Sequence, residues 1–129
     1  MIEQIVLDYL NATDLVSVAT GEELEEVPCY AERPEQEPDG MYMVIEKTGS
    51  DNEDHIQDAT VAVSSYAKTL YEASLLNEAV KHAMLQITTL PSVSAVRLNS
   101  DYNFTSTAAK CYRYQAVFVL TYYEEGQYV

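Results

Sequence analysis

One stretch, Thr69 to Leu90 (TLYEASLLNEAVKHAMLQITTL), limits what this chain can become. Ala73, Leu76, Val80, Ala83, Met84 and Ile87 recur at steps of three and four, which gathers them into one apolar stripe on a 3.6-residue helix. Glu78, Lys81 and His82 fall on the other side. Thr69 and Glu72 form a T-x-x-E capping box, whose hydroxyl and carboxylate can satisfy orphan backbone donors at the helix start. Pro91 cannot continue a helix and turns Leu90 away from helical geometry. The spacing therefore predicts a helix over 69–90. Its stripe needs an apolar partner, and the strand-like segments on either side of it supply a sheet.

The rest of the chain supplies that sheet. Ile2, Ile5, Val6, Tyr9 and Leu10 share one face of a short helix over 2–10, too short to be stable without a tertiary partner. Residues 11–27 read as an irregular connection around Gly21, with Glu22, Glu23, Glu25 and Glu26 as a solvated acidic run. PCYAER (28–33) is a short extended piece between two prolines, which confine it to an edge. EQEPDG (35–40) is a polar turn. MYMVIEK (41–47) alternates, with Met41, Met43 and Ile45 on one face and Tyr42, Val44 and Glu46 on the other. TGSDNED (48–54) reads as a loop, followed by a long strand over 55–66 whose core face carries Ala59, Val61 and Val63; together these predict a hairpin. After the helix come a strand over 93–99, a polar loop over 100–110 and a strongly β-prone segment, CYRYQAVFVLTYY (111–123). Apolar residues on both faces of 116–120 point to a central strand covered on both sides, or on one side by a neighbouring subunit. The order is helix, strand, hairpin, helix, strand, strand. The fold class expected is α+β: a mostly antiparallel sheet of about five strands with both helices packed on it. A length of 129 residues fits a single domain over 1–129.

Charge narrows the function. The net charge is −14, and all of the surplus lies in the first half: residues 1–58 hold 16 acidic and two basic side chains, residues 59–129 five of each. Duplex binding is driven by phosphate neutralisation, so the charge argues against an ordinary nucleic-acid-binding domain. No apolar run reaches the roughly 18 residues that cross a bilayer, and MIEQIVLDYL lacks the basic start of a signal peptide. A soluble protein made in the cytosol is expected, where the sequons at Asn11 and Asn103 carry no weight. Cys29 and Cys111 have no CxxC spacing and read as small strand-embedded hydrophobes.

Candidate chemistry is sparse. His82 falls on the polar helix side and His55 beside a turn, with no H-x-x-x-H or H-x-x-E spacing to complete a metal site. Asp51, Glu53, Asp54 and Asp58 lack the D-x-D-x-D-G register of a calcium loop. There is no G-x-G-x-x-G, P-loop or G-x-S-x-G. No cofactor is expected, and the pattern argues against an enzyme. Eleven tyrosines without a tryptophan, six of them within residues 102–128, fit half-exposed strands and protein–protein contacts equally well.

Four segments in this order resemble one family: CYAERP (29–34), YMVIEKTG (42–49), IQDATVAVSSYAKTLYEA (56–73) and YNFTSTAAKCYRYQAVFVLTYY (102–123). They resemble the tail terminators of long-tailed bacteriophages, small tail-completion or minor capsid proteins. The resemblance spans most of the chain and implies a virion protein at the tail–neck junction. Such a protein forms a homohexameric ring that caps the finished tail tube, stops polymerisation of the major tail protein and receives a neck or head-completion protein. DNA passes through the lumen without specific binding, and no catalytic residue or membrane is involved. On that reading an acidic loop, Asp51, Glu53 and Asp54, or Glu35, Glu37 and Asp39, faces the lumen or the tube, because like charge removes the counterion-release gain of DNA contact. Tyr112, Arg113 and Tyr114 then form part of a subunit or tube contact. The alternatives are an acidic DNA mimic that inhibits a nucleic-acid enzyme, or another neck component such as a stopper or adaptor.

Overall fold

The computed structural model describes residues 2–25, 27–53, 56–106 and 112–123, with residues 51–53 and 56 described by their backbone alone. The fold is α+β. Helix α1 (Ile2–Ala12) is followed by strands β1 (Cys29–Tyr30), β2 (Tyr42–Glu53) and β3 (Ile56–Ala67). Helix α2 (Leu70–Met84), a 3-10 turn (Ile87–Thr89) and strands β4 (Val93–Asn103) and β5 (Tyr112–Tyr122) complete it. The strands form one sheet in the order β1-β2-β3-β5-β4, antiparallel except for the β1–β2 pair.

Both helices lie on the same face of the sheet. The α2 stripe is fully used: Ala73, Leu76, Val80, Met84 and Ile87 have no exposed surface, and Ala83 is buried with them. It packs on Val61 and Val63 of β3 and on Ala116, Phe118 and Leu120 of β5, all buried in one cluster. Ile2, Val6 and Leu10 of α1 join that cluster, beside Met43 and Ile45 of β2. A Tyr9 hydroxyl donating to the Ala83 carbonyl at 2.7 Å fastens α1 to α2. Asn11 fastens α1 to the sheet edge. Its amide accepts from Cys29 N at 2.9 Å and donates to Cys29 O at 3.1 Å, filling the place a further strand would take. The connection from α1 to β1 turns back on itself at Gly21, whose φ of 75° is the left-handed backbone that favours glycine. Leu24 N donating to Leu15 O at 2.7 Å closes this small loop.

Three boundaries differ from the sequence reading. α2 ends at Met84 rather than running to Leu90; Gln86 N turns to Ala83 O, an i→i−3 bond that tightens the helix ahead of Thr88, Thr89 and Pro91. β2 continues through Thr48–Glu53, expected as loop, because β3 offers it a ladder from Tyr42↔Tyr66 to Glu53↔Ile56, with Thr48 as the extra residue of a bulge between Lys47 and Gly49. β4 likewise takes in Ser100–Asn103, polar residues held by pairing with Val117 to Tyr114 of β5. Thr69 caps α2 as its motif predicts, its hydroxyl accepting from Glu72 N at 3.1 Å.

Candidate interaction surface

With both helices on one side, the alternation of the strands sends a second set of side chains to an uncovered face. Met43 and Ile45 point to the helices, so Tyr42 and Val44 point away; likewise Tyr66 opposes Val63 and Ser65, and Arg113 opposes Tyr114 and Ala116. Register then sets these residues in a line. Tyr42 pairs with Tyr66, and Tyr66 with Arg113.

The result is a row of aromatic rings and guanidinium groups across all five strands. Tyr30 meets Tyr42 edge-on with centroids 6.1 Å apart, and Tyr42 stacks on Tyr66 at 4.7 Å with planes 2° apart. Two cations flank Tyr66: the guanidinium carbon of Arg33 lies 5.2 Å from the ring centroid and that of Arg113 5.9 Å. Arg113 also donates to the Tyr66 hydroxyl at 3.3 Å and sits 4.9 Å over Phe104, which meets Tyr102 edge-on at 4.9 Å. Tyr42 and Tyr66 are only 3% and 7% exposed although no helix covers them; the row buries its own members. Arg33 pairs with Glu37, and the Tyr42 hydroxyl donates to the same carboxylate at 3.3 Å. The hydrogen bond from Arg33 lowers the Glu37 pKa, while burial raises that of Tyr42.

The sequence-predicted residues fall in several places. Arg113 is in the row, but Tyr112 and Tyr114 project from the opposite face of β5, so the three do not make one patch. Glu37 is engaged with Arg33 and Tyr42; Asp39 lies 3.9 Å from Lys68, both exposed; Glu35 is exposed. Asp51 and Glu53 lie on the far part of β2, Asp51 opposite Asp58, and Asp54 lies outside the described residues. About 30 Å of strand separates this end from the Glu35–Asp39 loop, so the two acidic segments do not share one rim. His55, Cys111 and Tyr128 also lie outside the described residues; His82 is exposed and shares a hydrogen bond with Gln86 at 3.1 Å. Cys29 is buried, and burial pushes its thiol up to about 12. Among the described residues, no three His, Cys, Asp or Glu side chains gather into a metal-binding group, and no helix is long and apolar enough to cross a membrane.

Sequence reasoning missed Tyr30, Arg33, Tyr66 and Phe104 as members of a surface. Simple counting could not have found them: from Glu53↔Ile56 it sets Tyr42 opposite Ala67, and only the bulge between Lys47 and Gly49 shifts Tyr42 onto Tyr66. No family model matches the chain, and no curated protein matches it.

Proposed function

We propose that the protein is a structural component of a phage virion, a ring-forming tail terminator that caps the tail tube, ends its polymerisation and joins it to the neck. The observation that carries this reading is the sheet face that neither helix covers, where a packed row of tyrosines and arginines crosses the strands and ends in the exposed Tyr102 and Phe104. Such residues dominate the energetics of protein–protein contacts, and their fixed rotamers lower the entropy lost on docking. In this reading the open face meets the tube end or a neighbouring subunit. The far end of the β2–β3 hairpin, with Asp51 and Glu53, turns toward the lumen, where like charge lets DNA slide past. The carboxylates do not support the DNA-mimic alternative. They divide between the loop at 22–25, the loop at 35–39 and the far end of β2, whereas a mimic lines one long face with them.

The test is deletion of the gene from the phage that encodes it, with tails measured by negative-stain microscopy. Overgrown tails detached from heads are expected, restored to normal by the wild-type protein supplied in trans. Joined particles with tails of normal length in its absence would overturn the reading.

A further inference from the structure

Two groups of exposed apolar side chains lie on opposite layers of the molecule. On the helical layer, the small loop at 15–24 stands against α2 and leaves a groove of about 420 Å³ lined by Tyr9, Val16, Val18, Ala79 and His82. Past Val18 a second pocket of about 260 Å³ continues along Tyr71, Leu75 and Glu78. Val18 and Tyr71 at this junction are 61% and 67% exposed. On the sheet layer, Tyr102 and Phe104 stand clear at the β4 end of the aromatic row, 45% and 46% exposed, braced by Arg113.

Charge distinguishes the two surfaces. Asp14 lines the groove and Glu22, Glu23 and Glu25 follow on the same connection; all four are exposed and have no cation partner among the described residues. On the open face, Arg97, opposite Val119 and farther along β4 than the aromatic corner, is exposed and is the one basic side chain among the described residues with neither ion pair nor hydrogen bond; Arg113 touches rings and a hydroxyl but no carboxylate. Arg33, Lys47, Lys68 and Lys81 are all paired with carboxylates. Two cations without carboxylate partners on the layer of the exposed aromatics match carboxylates without cation partners on the layer of the apolar groove. The geometry points to a second copy of this chain as the occupant of the groove: the Tyr102–Phe104 corner of one copy seats between the 15–24 loop and α2 of the next, with Arg97 set against Asp14, Glu22 and Glu23. Because the two surfaces lie on different layers, each copy can use both at once. The contact is then head to tail, the kind that closes into a ring when its rotation permits. The net charge of −14 opposes association at low salt, but at about 0.15 M this long-range repulsion is screened within roughly 8 Å, while close pairs at a drying contact are screened less. The assignment rests on the ring reading above and specifies the two sides of its subunit contact.

Two exposed substitutions test it, Val18→Asp in the groove and Phe104→Asp at the corner, each confirmed as folded by circular dichroism. In sedimentation velocity at about 0.15 M salt, the wild type should self-associate as concentration rises, and each variant alone should do so about tenfold more weakly or worse. An equimolar mixture of the variants should recover a dimer and nothing larger, since one intact groove meets one intact corner. A wild type that stays monomeric, variants that assemble normally, or a mixture that fails to pair would each overturn the assignment. Tail length separates the two readings. If deletion of the gene leaves tails normal while each variant loses association and the mixture pairs, the terminator role falls and the contact stands. If deletion of the gene lets tails overgrow but the mixture does not pair, only the contact falls.

Discussion

Replacing Tyr66 with alanine tests whether the open face is as tightly packed as described. Tyr66 is 7% exposed, stacked on Tyr42 and approached by Arg33 and Arg113. Burying an aromatic side chain removes roughly 150–250 Å² from water, and large-to-alanine changes at such sites cost about 3–5 kcal/mol. We expect about 4 kcal/mol for Tyr66→Ala. Tyr66→Phe keeps the ring and loses only the bond from Arg113, so it should cost about 1 kcal/mol. Tyr71→Ala, the same chemical change at a residue 67% exposed on α2, should cost about 0.5 kcal/mol or less. At about 2.1 cal/mol/K per residue, the unfolding entropy of a 129-residue chain converts 4 kcal/mol into a drop in Tm of roughly 15 °C. Urea and thermal unfolding followed by far-ultraviolet circular dichroism at one fixed protein concentration measure all three. If Tyr66→Ala costs no more than Tyr71→Ala, the row does not bury its own members and the reasoning fails.

Three further outcomes follow from the helical layer and the core. Thr69→Ala should lower stability by about 1 kcal/mol in urea titrations, and Thr69→Asp should retain most of it, since either oxygen can accept from Glu72 N. Asp101→Ala should cost about 2 kcal/mol, because it strips a charged partner from buried Asn77 (2.7 Å) and from Lys81 (2.7 Å); a double-mutant cycle with Lys81→Met gives the ion pair's share. Burial works against the Lys81 charge, but its bonds to Asp101 and Glu78 outweigh that and leave its pKa raised. Cys29 titrates near 9.0 unfolded and near 12 folded, so the unfolded chain gives up its proton first. Stability relative to Cys29→Ala should be flat below that lower value and fall by about 1.4 kcal/mol per pH unit above it, and a thiol reagent should reach Cys29 only on unfolding.

The apolar stripe from Ala73 to Ile87, the Thr69 cap, the element order and the core face of β3 were all legible, because each is a local pattern that burial then rewards; β2 and β5 showed their alternation but not which side is the core. Where the chain is polar, local pattern misleads. Thr48–Glu53 and Ser100–Asn103 look like loops, yet each lies beside a long partner strand whose ladder holds it extended. The surface was least legible of all. Tyr30, Tyr42, Tyr66, Arg113 and Phe104 come together only through strand register and order, which no window of sequence contains. Grouping Tyr112, Arg113 and Tyr114 by adjacency set together residues that the pleat divides between two faces.

β1 lasts only two residues, Cys29 and Tyr30, and no other described strand runs along that side of β2. From Ile45 onward the outer rail of the hairpin therefore keeps amide and carbonyl groups without a strand neighbour. Such a rail invites indiscriminate zippering with any extended peptide, and what guards it here is charge rather than cover: Glu46, Lys47, Asp51 and Glu53 are spaced along it. The acidity that first seemed a clue to partners is thus also a safeguard, keeping a sticky margin from recruiting the wrong one.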